Sequence, residues 1–145
     1  ILRGQFHARI SEGVRDPVTA TALALEREGT QCVMVSVDRV GIPDSIRDGV
    51  RALLPDLVDD LDPQNVFLSA THTHTAPATD DSKWEDQGPG VMKPSDYAAM
   101  LTTRLAGCIA DAWRARAPAR SPRRPARTRN PPRRRPRSRP RSCPS

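Results

Sequence analysis

The chain has 145 residues, 23 Lys+Arg against 17 Asp+Glu, a net charge of +6, 15 Pro, 3 Cys and 5 aromatic residues. That length fits one domain. No run approaches the roughly 18 consecutive apolar residues of a membrane-spanning helix, so an integral membrane span is excluded, and no basic start with an apolar run marks a signal peptide. The chain opens on Ile1 rather than Met, so the expectation is an incomplete N-terminus, with cytoplasm and secretion both open as compartments.

Charge divides the chain. Residues 1–120 carry 13 Lys+Arg and all 17 Asp+Glu, whereas residues 121–145 carry 10 Arg, no Lys and no acid. The last segment also holds 7 Pro, and its only apolar side chains are Ala126 and Cys143. Too little surface can be buried there to offset ordering entropy, so it reads as disordered. Three origins fit it. It can be an arm for nucleic acid or an acidic partner, a plain solvated tail, or the out-of-frame product of a G+C-rich gene. The missing Lys favours the last, and the tail has no aromatics to stack on bases. Cys32, Cys108 and Cys143 are odd in number, lack CxxC spacing and read as free thiols.

In chain order, residues 1–17 are irregular, punctuated by Gly4, Gly13 and Pro17. Thr19 to Arg27 alternates Ala20, Ala22 and Ala24 against Thr21, Leu23 and Leu25, which predicts a strand. Glu28-Gly29-Thr30 is a short turn, and Gln31 to Asp38 a second, more buried strand with Val33, Val35 and Val37 on one face. The two form a hairpin. Pro43 or Asp44 opens a helix through Ile46, Val50, Leu53 and Leu54, interrupted by Pro55. Leu57, Val58 and Leu61 continue a second short turn, and Asp62-Pro63 is a loop. Asn65 to Thr71 is a third strand, placed beside Val33–Val37 in the core. His72 to Pro94 is a long polar loop, a length that marks function or disorder. A last helix starts near Pro94, capped by Ser95, and carries a stripe of Met100, Leu101, Leu105, Cys108, Ile109 and Ala112 to Trp113. The order β-β-α-β-loop-α is an α/β or α+β arrangement with a mixed sheet.

Chemistry concentrates in Thr71-His72-Thr73-His74-Thr75. In an extended chain His72 and His74 share a face. Two imidazoles at a strand end suit a shared metal or two jobs at one site. A hydrolytic zinc takes about three protein ligands and an open position for water. Against this stands a pair of loop histidines flanked by hydroxyls. His7 is the only other histidine. Asp38, at the end of the central strand, and Asp16, before Pro17, are weaker candidates, each also readable as a turn or strand-end residue.

The run Leu68 to Pro77 (LSATHTHTAP) resembles the ATHTHSGP signature of the neutral/alkaline non-lysosomal ceramidases. Gly13-Val14-Arg15-Asp16-Pro17, the paired strands ending in Asp38 and Gly41, the helix from Asp44 to Leu54 and the segment from Tyr97 to Arg120 follow the family's order, so the resemblance covers roughly residues 4–120. It implies a zinc amidohydrolase that cuts the N-acyl bond of ceramide into sphingosine and fatty acid. His72 would be a zinc ligand, and His74 would stand beside the metal and polarise the scissile carbonyl or handle a proton. The partner implied is a small-molecule lipid amide. The chain departs from the family where Thr75-Ala76 stands for Ser-Gly, which puts the turn geometry in doubt. The family's further ligands (a His, a Glu and a Tyr) lie well downstream, and the resemblance stops near Arg120. The expectation is therefore residues 1–120 as the N-terminal part of a larger catalytic domain, incomplete and inactive alone. The alternative is a small Arg-tailed module that binds nucleic acid or acidic partners through residues 121–145.

Overall fold

The structure is a computed structural model that describes residues 1–4, 6–83 and 85–120. The readings placed on residues 121–145 lie outside the described residues. Strand β1 (Ala20–Arg27) and strand β2 (Thr30–Val37) pair antiparallel, from Ala20↔Val37 to Arg27↔Thr30. Glu28 and Gly29 join them with φ of 51° and 80°. Two positive φ values are the pattern of a two-residue hairpin turn whose twist matches its strands. Helix α1 (Asp44–Leu53) follows, then strand β3 (Val66–Ala70), which lies parallel to β2 from Val33↔Val66 to Val37↔Ala70. A parallel pair needs a crossover, and α1 supplies it. Helix α2 (Pro94–Arg114) closes the described fold. The result is the expected α/β arrangement, a mixed sheet of order β1-β2-β3 with two helices.

Both helices pack on one face of the sheet. Val33, Val35 and Val37 of β2 and Val66 of β3 cluster with Ile46, Val50, Leu101, Leu105, Ile109 and Trp113, all buried. The alternation in β1 now has a direction. Ala20, Ala22 and Ala24 face this core, half-buried, while Leu23 and Leu25 point away. Small side chains let α2 come close to β1. At the helix crossing, a Cβ on Gly49 would stand 3.0 Å from Thr102 Cγ2, so α1 and α2 also meet through a small residue. On the opposite face Leu23, Met34 and Phe67 lie in cross-strand register, each more than half exposed.

Two readings need correction. Ser95 does not cap α2: Lys93 is the N-cap residue and Pro94 the first helical one. Instead Ser95 N donates to Asp81 Oδ1 at 3.2 Å, so a loop carboxylate 14 residues upstream serves the helix start. The second short turn is a 3₁₀ turn at Pro55 itself (Leu54–Asp56) rather than one running through Leu57, Val58 and Leu61, and Val58 and Leu61 reach the core from an irregular segment.

The sheet end nearest the hairpin turn is closed by polar pairing. Trp113 Nε1 donates to Asp60 Oδ1 at 2.8 Å, and the Arg116 guanidinium lies 3.4 Å from the Trp113 ring centroid. Arg116 also pairs with Glu26 at 3.0 Å and Asp60 at 3.3 Å.

Candidate functional site

The other end of the sheet, where β2 and β3 both finish, carries the candidate residues. Ligands of open α/β sheets collect at the carboxyl ends of parallel strands. Beyond β2 come Asp38, Arg39 and Val40, and beyond β3 come Thr71 to Thr75. The pairing runs on past the strands: Thr71 N donates to Val37 O at 3.0 Å, and His72 N donates to Arg39 O at 2.9 Å.

The two histidines meet, but not by strand alternation. β3 stops at Ala70, and His72 has φ of 65°. It therefore sits in the left-handed region, uncommon for a residue with a Cβ and typical of constrained positions. The backbone turns there, and the rings of His72 and His74 come to rest edge-on with centroids 5.1 Å apart.

Each ring is pinned through the same nitrogen. His72 Nδ1 lies 2.7 Å from Val40 O, and His74 Nδ1 lies 3.1 Å from Gly4 O. A carbonyl only accepts, so both Nδ1 atoms carry the proton and donate. In the neutral rings each Nε2 then keeps its lone pair, the state a metal-ligating or proton-accepting imidazole needs. Arg9 Nη2 donates to His74 O and holds the same segment from outside.

Gly4 makes its contact possible. Its φ is +106°, and a Cβ there would lie 2.5 Å from His74 Cγ and Nδ1. The first residues are tied across the site: Arg3 N donates to Ala76 O at 2.9 Å, and Ala78 N to Ile1 O at 2.8 Å. Ala76 is fully buried, so a methyl group is packed in the turn that follows the histidines.

Asp38 makes no hydrogen bond to either imidazole. Its Oδ2 accepts from Thr19 Oγ1 at 2.7 Å and Thr19 N at 3.0 Å, and its Oδ1 accepts from Thr71 Oγ1 at 3.1 Å. The Thr19 hydroxyl, then the Thr19 amide, then the Thr71 hydroxyl hold its carboxyl below the usual carboxylate range. It ties the start of β1 to the ends of β2 and β3. Asp16 stands in an exposed segment, its nearest charge being Arg15 at 3.7 Å. Cys32 and Cys108 are half-buried free thiols. Among the described residues no group of three or more His, Cys, Asp or Glu side chains is placed to hold a metal ion. Also among them, no helix is long and apolar enough to cross a membrane.

Three contributors escaped the sequence reading. The Gly4 and Val40 carbonyls are backbone atoms, which residue identity does not reveal. Arg39, directly after Asp38, turns out to be buried. No family model, curated protein or solved structure matches the chain.

Proposed function

We propose that the chain is part of a zinc-dependent amide hydrolase of the neutral ceramidase type, acting on the N-acyl bond of a lipid amide. The observation that carries this reading is the shared anchoring of His72 and His74 through Nδ1, with two Nε2 lone pairs on adjoining rings. The THTH resemblance supports it. The donor chemistry suits zinc, which binds imidazole nitrogen readily. When bound, zinc polarises an amide carbonyl and lowers the pKa of a coordinated water.

The residues themselves divide the work. His72, held by Val40 O at the end of the sheet, serves as ligand. His74, held by Gly4 O on the outer segment, stands beside it and handles the proton that the leaving amine needs. The described residues supply two donors, so the pair is one portion of a ligand set and the chain alone is catalytically silent.

Two measurements test this. Zinc titration by competition with a chromophoric chelator should show one bound ion, with affinity falling at least tenfold in His72→Ala and in His74→Ala. Unchanged affinity in both sinks the metal reading. With zinc and a fluorogenic N-acylsphingosine, the chain should release no more fatty acid than the His72→Ala variant. Robust zinc-dependent release would show that the described residues already complete a site.

A further inference from the structure

The face of the sheet turned away from the helices is apolar and lies apart from the histidines. Leu23, Leu25, Met34 and Phe67 point outward there, each half or more exposed. Leu23 stands opposite Met34, and Met34 opposite Phe67, so these three form one row across all three strands. The other outward positions are Thr, Ser or Cys until the ends of the face are reached. A sheet with one face in water normally sets polar and charged side chains on it. A contiguous apolar patch without charge marks an interaction surface.

Charge appears at the two ends of this face, with opposite sign. Arg27 closes β1 and follows Leu23 and Leu25 in the alternation, so it lies on the outer face at the hairpin end. Asp38 follows Met34 and Ser36, and the ladder continues through it, since Asp38 N donates to Thr19 O at 2.9 Å. It therefore lies on the same face at the other end. Its Oδ2 takes both Thr19 donors and its Oδ1 only the Thr71 hydroxyl, so Oδ1 has room for one more donor. Arg27 is exposed and pairs loosely with its neighbour Glu28 at 3.5 Å.

Two sheets pack face to face with their strands within about 30° of each other. A two-fold axis between two copies, perpendicular to the strands, lays one row on the other and sets the Arg27 end of each copy over the Asp38 end of the other. An axis along the strands would match the rows but leave both charges without a partner. A patch complementary to itself in both apolar surface and charge is what an isologous dimer requires. Four half-exposed apolar side chains and their small neighbours on each copy give on the order of 1,000 Å² buried in total, the lower limit for a specific interface.

We infer that two copies of the chain pair through this outer face as an antiparallel sandwich of two three-stranded sheets, with Leu23, Met34 and Phe67 at the centre and Arg27 of each copy against Asp38 of the other. The pairing requires no metal and stands or falls separately from the zinc reading.

The test uses the full 145-residue chain in sedimentation velocity, from about 2 to about 200 μM. A reversible monomer–dimer equilibrium with a micromolar Kd is expected from so small an interface. Met34→Lys buries a charge at the centre and should weaken pairing about tenfold or more, with the unfolding midpoint of the dilute monomer unchanged. Arg27→Ala and Asp38→Asn should each weaken it about threefold to tenfold, and the double variant no further than the worse single one. In the unaltered chain the Met34 methyl resonance should move with concentration while that of the equally exposed Met92 stays put, a readout that holds even if Met34→Lys fails to fold. A monomer throughout, assembly that continues past the dimer, a dimer that survives Met34→Lys, or a stationary Met34 signal during association would each overturn the pairing. Additive effects of the two charge variants would overturn its orientation.

Discussion

The two ends of the sheet are built from similar side chains and differ in how they are paired. Near the hairpin turn, Asp60 accepts from Trp113, and Arg116 lies over the Trp113 ring while facing Glu26 and Asp60. Near the carboxyl ends of β2 and β3, Arg39 Nη1 and the Nε2 atoms of His72 and His74 have no hydrogen-bond partner among the described residues. The backbone differs too, since only the second end holds a histidine at positive φ. A polar cluster that closes on itself contributes to stability. One that leaves donors and acceptors open is a place where a ligand supplies the missing half.

This contrast can be broken from either side. The largest expected effect is at the closed end. Trp113 is 1 % exposed, and Trp113→Ala should cost about 3–5 kcal/mol in urea unfolding. Trp113→Phe keeps most of the ring and should cost about 1–2 kcal/mol, because Asp60 loses its donor. If Trp113→Ala left the urea midpoint in place, the closed end would not be the stabilising one.

At the open end a smaller stability cost should accompany a clear local change. Gly4→Ala places a methyl group against the His74 ring from a backbone at φ +106°. The expected cost is about 1–3 kcal/mol. The His74 imidazole resonances should shift while those of Trp113 stay put. If the His74 signals did not move, the Gly4 contact would not be what positions the ring.

The smallest effect should appear only in acid. The Asp38 carboxyl is lowered in the folded state, chiefly by the Thr19 hydroxyl. A depressed folded value contributes stability that is present above the unfolded value, about pH 4, and is lost as pH falls through the folded value. Asp38→Asn should therefore have a shallower loss of midpoint than the unaltered chain between neutral pH and about pH 3. An unchanged slope would mean that the three-strand tie has no role in acid stability.

How much of this was legible beforehand depends on how local each cause is. The β1–β2 hairpin follows from period-two alternation and a two-residue turn, and α1 from Pro43 and the spacing of Ile46 and Val50. These signals lie within a few residues, and the observed bounds agree to within one residue or so. The parallel placement of β3 beside Val33–Val37 follows from its apolar run and the helix before it. The start of α2 at Pro94 is legible in the sequence, but its cap is not, because the carboxylate that serves Ser95 N, Asp81, comes from the loop. The histidine pair was legible as a pair, but its cause was not. Alternation presumed a strand that ends at Ala70, and the actual restraints are carbonyls 32 and 70 residues away. The charge of Arg39 was visible and its burial was not, since burial depends on where Thr79 and Gly41 come to lie.

The two imidazoles are also unequal in how far the fold must open to release them. His72 leans on Val40, whose chain is continuous with the buried core strand β2. His74 leans on Gly4, in a segment joined to residues 76–78 by a few backbone hydrogen bonds and continued by exposed residues such as Phe6. Peeling residues 1–9 away would free His74 and leave His72 seated, without exposing Val33 or Ile109. In hydrogen exchange the amides of Arg3 and Ala78 should then report a shallow local opening, and those of β2 the full unfolding free energy. That outcome would tie one partner of the pair to global unfolding and the other to a local opening.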